Sequence, residues 1–241
     1  MNYALIFAGG VGSRMNSKAR PKQFLEIHGK PILIHTIEHF ELHPDIDSVC
    51  LVIVKEWIDY AKKLIEKFNL KKVKWVVPGG SSALESQFFG LQAIRTDETI
   101  TDEDIVLIHD GVRPLINEQV ITDCIEGVKQ YGSAVTVAPA IETIIRADEC
   151  GIIKDTFPRT ECKLARAPQC FLFNEIMAAH QKAKEEGKYD YIDSTSLLLH
   201  FNKKIHTVIG PSENIKVTNP ADFYICRALL DAKENSQIYG L

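Results

Sequence analysis

Five short apolar runs punctuate the first 139 residues: 3–8 (YALIFA), 48–54 (SVCLVIV), 73–78 (VKWVVP), 104–110 (DIVLIHD) and 133–139 (SAVTVAP). Their near-continuous hydrophobicity, without the polar alternation of a half-exposed strand, predicts strands buried on both faces of a parallel sheet. Between them the apolar period lengthens. Segment 31–43 (PILIHTIEHFELH) carries Ile34, Ile37 and Phe40 at helical spacing with Leu33 on the same face, and opens on Pro31, suited to a first helical turn. Segments 56–68, 81–95 and 117–131 read as helices of the same kind. Strands alternating with helices predict an α/β protein: a three-layer, Rossmann-like sandwich around a mostly parallel sheet.

The alternation breaks after residue 139. Residues 140–159 (AIETIIRADECGIIKDTFPR) read as two short strands about a turn at 147–151, a hairpin with little core material of its own. Such a hairpin is expected to lean on another surface. Helical patterning returns at 174–187, 193–201 and 220–235. With no repeat, low-complexity tract or linker, residues 1–241 are expected to form one domain with an arm at about 140–159.

Composition narrows the function classes. The 241 residues are 45% hydrophobic and 25% charged, with a formal net charge of -4. That balance offers no concentrated basic face, so nucleic acid is not an expected partner. The six cysteines (Cys50, Cys124, Cys150, Cys162, Cys170 and Cys226) contain no Cys-x-x-Cys pair, and neither a zinc site nor a redox motif is readable. No apolar stretch reaches the ~20 residues of a membrane span, and the start MNYALIFAGG lacks a basic leader. The expectation is a cytoplasmic protein with no membrane partner.

Residues 5–15 (LIFAGGVGSRM) run from the first strand into Gly9, Gly10 and Gly12. A glycine turn after a first strand lets backbone N–H groups approach an anion at the carboxyl edge of the sheet. The motif is not a Walker loop, which needs Gly-Lys-Ser/Thr. It departs from a dinucleotide fingerprint as well, because Met15 stands where a third glycine would pack helix on strand. A plain strand-to-loop turn with incidental glycines explains the glycines equally well. Arg14 and Lys22 shift the balance toward a polyphosphate clamp. Lys22 directly follows Pro21, in a segment not expected to be helical.

Four ordered blocks now carry a resemblance: AGGVGSRM with PKQF at 8–24, IHDGVRP at 108–114, PRTECKLARAPQCF at 158–171 and ENIKVTNPAD at 213–222. Together they resemble the cytidylyltransferases that activate ribitol 5-phosphate or methylerythritol phosphate with CTP. The resemblance implies a nucleotidyltransferase fold and an in-line attack of a polyol phosphate on the α-phosphorus of CTP. The nucleophile is already anionic, so no strong general base is needed. By motif, Arg14 and Lys22 would stabilise the transition state and the departing pyrophosphate, and Arg159 and Lys216 would hold the acceptor phosphate. Phe7, Ala8, Gly9, Gly10, Gly12, Gly79, Gly80 and Ser86 would hold CTP. Asp110 and Arg113 would contact the acceptor, Asp110 also being a candidate Mg²⁺ ligand; a capping Asp110, with Arg113 bracing it, is the alternative. His109 is read as structural. Thr143 and Arg159 match positions that the family contributes to a neighbouring subunit, implying a homodimer through the arm.

Two positions depart from the family pattern. Ala83 stands where an arginine usually follows the Gly79-Gly80 pair, so one contact supporting the nucleotide loop is expected to be missing. Ala167-Pro168-Gln169 replaces Thr-Pro-Gln, removing a hydroxyl near the acceptor. Ala8-Gly9-Gly10 and GKPILIHTIEHF look more like the ribitol 5-phosphate branch than the methylerythritol branch of isoprenoid synthesis, which stays as the alternative acceptor. A catalytically silent nucleotide-binding module is the competing class, disfavoured by the presence of both phosphate clamps.

Overall fold

In the computed structural model, residues 1–9 and 20–239 are described. The chain runs through β1 (Asn2–Ala8), a small ribbon of β2 (Glu26–Ile27) and β3 (Lys30–Pro31), α1 (Ile32–Leu42), β4 (Ser48–Ile53), α2 (Ile58–Lys67) and β5 (Val73–Pro78). It continues with α3 (Ala83–Ile94), β6 (Ile105–Asp110), α4 (Glu118–Tyr131), β7 (Ser133–Pro139), β8 (Ile144–Ala147), β9 (Ile153–Phe157) and β10 (Lys163–Leu172). The last elements are α5 (Phe173–Glu185), α6 (Ser194–His200), β11 (Thr207–Ile209) and α7 (Pro220–Tyr239).

Among the described residues, seven strands form one sheet in the order β11-β7-β10-β6-β1-β4-β5. β1 pairs in parallel with β4 and β6, β4 with β5, and β11 with β7, while β10 runs antiparallel to both its neighbours. The apolar runs of β1, β4, β6 and β7 are continuous because both faces of the sheet are covered there; β5, expected to be buried in the same way, is an edge strand with no fully buried residue. On one face Ala4, Ile6 and Ala8 of β1 meet Ile34, Ile37 and Phe40 of α1 and Ile121 and Ile125 of α4. On the other, Tyr3 and Leu5 meet Leu84 and Leu91 of α3, Ile176 of α5 and Leu197 of α6. Three layers therefore follow from the alternation of one central strand.

Local signals set the helix ends. Ser82, Asn117 and Asp193 accept hydrogen bonds from the first turns of α3, α4 and α6, and α4 closes on Gly132 in the left-handed region at φ 80. Pro31 stands just before α1 instead of in its first turn, and a 3-10 turn (Lys55–Trp57) replaces the first residues expected of α2.

Three features were not anticipated. β10 is a ten-residue strand inserted between β6 and β7. The three-residue β11 adds a sheet edge, and α7 continues to Tyr239. The hairpin itself is present as β8 paired with β9, and it projects from the ends of β7 and β10, where Lys163 faces Pro139. Its Ile145, Ile153 and Phe157 are exposed.

Two core histidines make the fold acid-sensitive. His109 on β6 packs beside Phe40 and its Nε2 meets the Arg113 carbonyl at 3.2 Å; His180 on α5 stacks on Phe88 and its Nδ1 meets Tyr189 Oη at 2.6 Å. Burial pushes both down to about 3. The unfolded chain takes up these protons near pH 6.5 and the folded one does not, so stability falls as pH drops from about 6.5 toward about 3. Urea unfolding at pH 5 is expected to show a loss of about 2 kcal/mol per histidine relative to pH 7.5. Equal stability at the two pH values would contradict this.

Candidate active site

The carboxyl ends of β1 and β5 bring Gly9 and Gly79 against each other. A Cβ on Gly9 would stand 3.1 Å from Ser86 Oγ and one on Gly79 3.0 Å from the same atom, so both glycines sit tight against this serine and a larger residue at either would push its side chain aside. Ser86 Oγ accepts from the Gly80 N–H at 3.0 Å and donates to the Ser82 carbonyl at 2.8 Å, tying the second turn to the start of α3. The Gly79 N–H donates to the Ile53 carbonyl at 2.8 Å. Lys22 opens a 3-10 turn (Lys22–Phe24) whose Gln23 donates from Nε2 to the Ala8 carbonyl at 2.9 Å, fixing that turn beside the end of β1. Phe7, Ala8, Gly9, Lys22, Gly80, Ser86, Asp110 and Lys216 line a cleft lobe of about 300 Å³.

A second lobe of about 300 Å³ adjoins the first and shares Phe7, Ala83, Asp110 and Lys216 with it. At the border, Lys216 Nζ stands 2.5 Å from Asp110 Oδ1, and Arg113 Nε donates to Asp110 Oδ2 at 2.8 Å. Arg113 Nη1 also donates to the Asn214 carbonyl at 2.9 Å. The Val217 N–H donates to the Val112 carbonyl at 2.9 Å, and Val217, Val112, Ile27 and Cys226 form a third small core that seats α7 and brings Lys216 to the end of β6. Burial raises the Asp110 pKa, but Arg113 and Lys216 together outweigh it and hold the carboxyl below its ordinary value. Asp110 is thus an anion clasped by two cations at neutral pH.

Most of the expected residues converge. Phe7, Ala8, Gly9, Lys22, Gly80, Ser86, Asp110 and Lys216 face one lobe and Arg113 the other, with Gly79 packed behind Ser86. Gly10, Gly12 and Arg14 lie outside the described residues. Arg159 and Thr143 do not join Lys216 within the chain: they belong to the arm, where Arg159 Nη1 donates to the Ile141 carbonyl at 3.1 Å, and neither lines a lobe. Each Asp110 carboxylate oxygen already holds a cation, Arg113 on one and Lys216 on the other, so a Mg²⁺ there would share the carboxylate with both. Sequence reasoning missed Arg166, Gln169 and Asp193 in the second lobe. Of these Gln169 carries a readable signal, as part of the Ala167-Pro168-Gln169 block, and Asp193 another, as the cap of α6.

A mostly parallel sheet with Gly9 and Gly79 opposed at its carboxyl edge, lysines at the cleft and a second basic lobe has the layout of a nucleotide-handling transferase. Residues 3–232 match the IspD family, described as 2-C-methyl-D-erythritol 4-phosphate cytidylyltransferase, and the chain belongs to this family of nucleotidyltransferases. It is 50% identical over 241 residues to a ribitol-5-phosphate cytidylyltransferase of Streptococcus agalactiae serotype V, covering 100% of both chains. It is 36% identical over 230 residues to a 2-C-methyl-D-erythritol 4-phosphate cytidylyltransferase of Clostridium botulinum, covering 95% of this chain and 97% of the other. The crystal structure of 4-diphosphocytidyl-2C-methyl-D-erythritol synthase from Anaerococcus prevotii superposes with a TM-score of 0.81 at 26% identity, covering 95% and 96% of the two chains. No helix among the described residues is long and apolar enough to cross a membrane.

Proposed function

We propose that the protein transfers the cytidylyl group of CTP to D-ribitol 5-phosphate, giving CDP-ribitol and pyrophosphate. The observation that carries this reading is the full-length 50% identity to a ribitol-5-phosphate enzyme, against 36% for a methylerythritol one. An oxygen of the acceptor phosphate forms the new bond to the α-phosphorus, and the bond from that phosphorus to the bridging oxygen of the β-phosphate breaks. The glycine turns and Ser86 hold CTP in the first lobe, with Lys22 and Arg14 on the charge that develops toward pyrophosphate. Lys216, on the border of both lobes, orients the acceptor phosphate, and Asp110 and Arg113 hold Lys216 in place. This is catalysis by alignment and charge neutralisation, with no proton to remove.

Mg²⁺ belongs with the triphosphate in this reading, since that ion favours phosphate oxygens and water; no step rests on Asp110 as its ligand. The exposed apolar arm fits a homodimer in which Thr143 and Arg159 enter the partner's second lobe, in a cytoplasmic enzyme. Purified protein with Mg²⁺ and ribitol 5-phosphate is expected to release pyrophosphate from CTP at least tenfold faster than from ATP, GTP or UTP. CTP binding without pyrophosphate release from any polyol or sugar phosphate would instead identify a silent nucleotide-binding module.

A further inference from the structure

The second lobe holds a cation that this scheme leaves unused. Arg166 stands where β10 leaves its ladder: pairing with β7 runs through Ala165 and resumes only at Gln169. The displaced stretch is held by groups outside the ladder. Asn214 Nδ2 donates to the Ala167 carbonyl at 2.7 Å, Thr136 Oγ1 donates to the Pro168 carbonyl at 2.9 Å, and Gln169 Nε2 donates to Asp193 Oδ2 at 2.7 Å. A bulge of this kind re-aims a side chain. Here it sets Arg166 in the wall of the second lobe.

What Arg166 lacks is a partner. Its Nε is buried with no hydrogen bond, and no carboxylate among the described residues pairs with it. Burial, and then the like charge of Arg113, work against its charged form. The free protein therefore holds a half-buried guanidinium whose Nε has no acceptor among the described residues. Arg113, Arg166 and Lys216 face a lobe whose acids are Asp110 and Asp193. Asp110 is already clasped twice, and Asp193 caps α6 and accepts from Gln169. The charge left over is positive, and a guanidinium fork with open donors matches a phosphate dianion.

We propose that Arg166 binds the phosphate of the acceptor, acting with Lys216 from the same chain. The inference rests on the second lobe being the acceptor side of the cleft. Ribitol 5-phosphate turnover by the unaltered protein tests that premise first and separately, since its absence removes the function reading before any variant is made. With an active protein, Arg166→Gln is expected to raise the KM for ribitol 5-phosphate at least tenfold and to leave the KM for CTP within twofold. Inhibition by methyl phosphate, which offers a phosphate without a polyol, should weaken by a similar factor. Arg166→Lys, which keeps the charge and loses the fork, should show a smaller rise. The thermal midpoint should stay level or increase in both variants, because no internal partner is lost. An unchanged acceptor KM overturns the proposal. So does a raised acceptor KM with unweakened methyl phosphate inhibition, which would place Arg166 on the hydroxyl end, or a lowered midpoint with both KM values raised, which would make it structural.

Discussion

Lys216→Ala is expected to lower kcat/KM by roughly thirty- to a thousandfold, the equivalent of about 2–4 kcal/mol for one charge-assisted contact to a transition state. The fold should survive. The Lys216 side chain is 40% exposed, and removing it leaves Asp110 still bonded to Arg113 at 2.8 Å. Its position is what makes it costly to lose: Lys216 lines both lobes, where the two phosphates must meet. Steady-state kinetics alongside circular dichroism separates the two effects. A change below tenfold would remove Lys216 from the reacting phosphates.

Arg113→Ala should act in the opposite way, on stability before chemistry. Arg113 and Asp110 have side chains 9% and 10% exposed, and Arg113 also holds the Asn214 carbonyl. Taking Arg113 away leaves the buried Asp110 carboxylate with Lys216 alone and the Asn214 carbonyl without its donor, at a cost of about 2–3 kcal/mol. The pH dependence should move too. A depressed carboxyl contributes stability above its unfolded pKa, 3.8 for Asp110, and that contribution is lost as pH falls through its lower folded value. Without Arg113 the folded value rises, so the contribution shrinks and the acid transition shifts to higher pH. Adding Asp110→Asn should recover part of the lost stability, because the buried carboxylate left with one cation in place of two is gone. Urea unfolding of the single and double variants measures this; a single variant as stable as the parent would contradict the clasp.

The first half of the fold is legible in the sequence for a physical reason. β1, β4, β6 and β7 are covered on both faces, so their residues are nearly all apolar, and Ser82, Asn117 and Gly132 mark helix ends with their own side chains or backbone freedom. β10 has neither property. Its Lys163, Leu164 and Ala165 are exposed, and Pro168 removes a ladder donor, so the strand does not read as one although its second half is core. The site divides similarly. Glycines, Lys22, Asp110 and Lys216 sit in recognisable blocks, but nothing in LARAPQ announces that Arg166 lies in a register break pinned by Asn214 and Thr136 from distant parts of the chain. Asp110 reads in the sequence as a strand-end carboxylate, and its two cationic partners become visible only in three dimensions.

This chain is expected to make CDP-ribitol in preference to any other cytidine diphosphate ester. One reaction containing CTP, Mg²⁺, ribitol 5-phosphate and 2-C-methyl-D-erythritol 4-phosphate at equal concentration, with products resolved by mass spectrometry, tests it directly. CDP-ribitol is expected in at least tenfold excess over the methylerythritol product. A mixture dominated by the methylerythritol product, or no cytidine diphosphate ester at all, would contradict it.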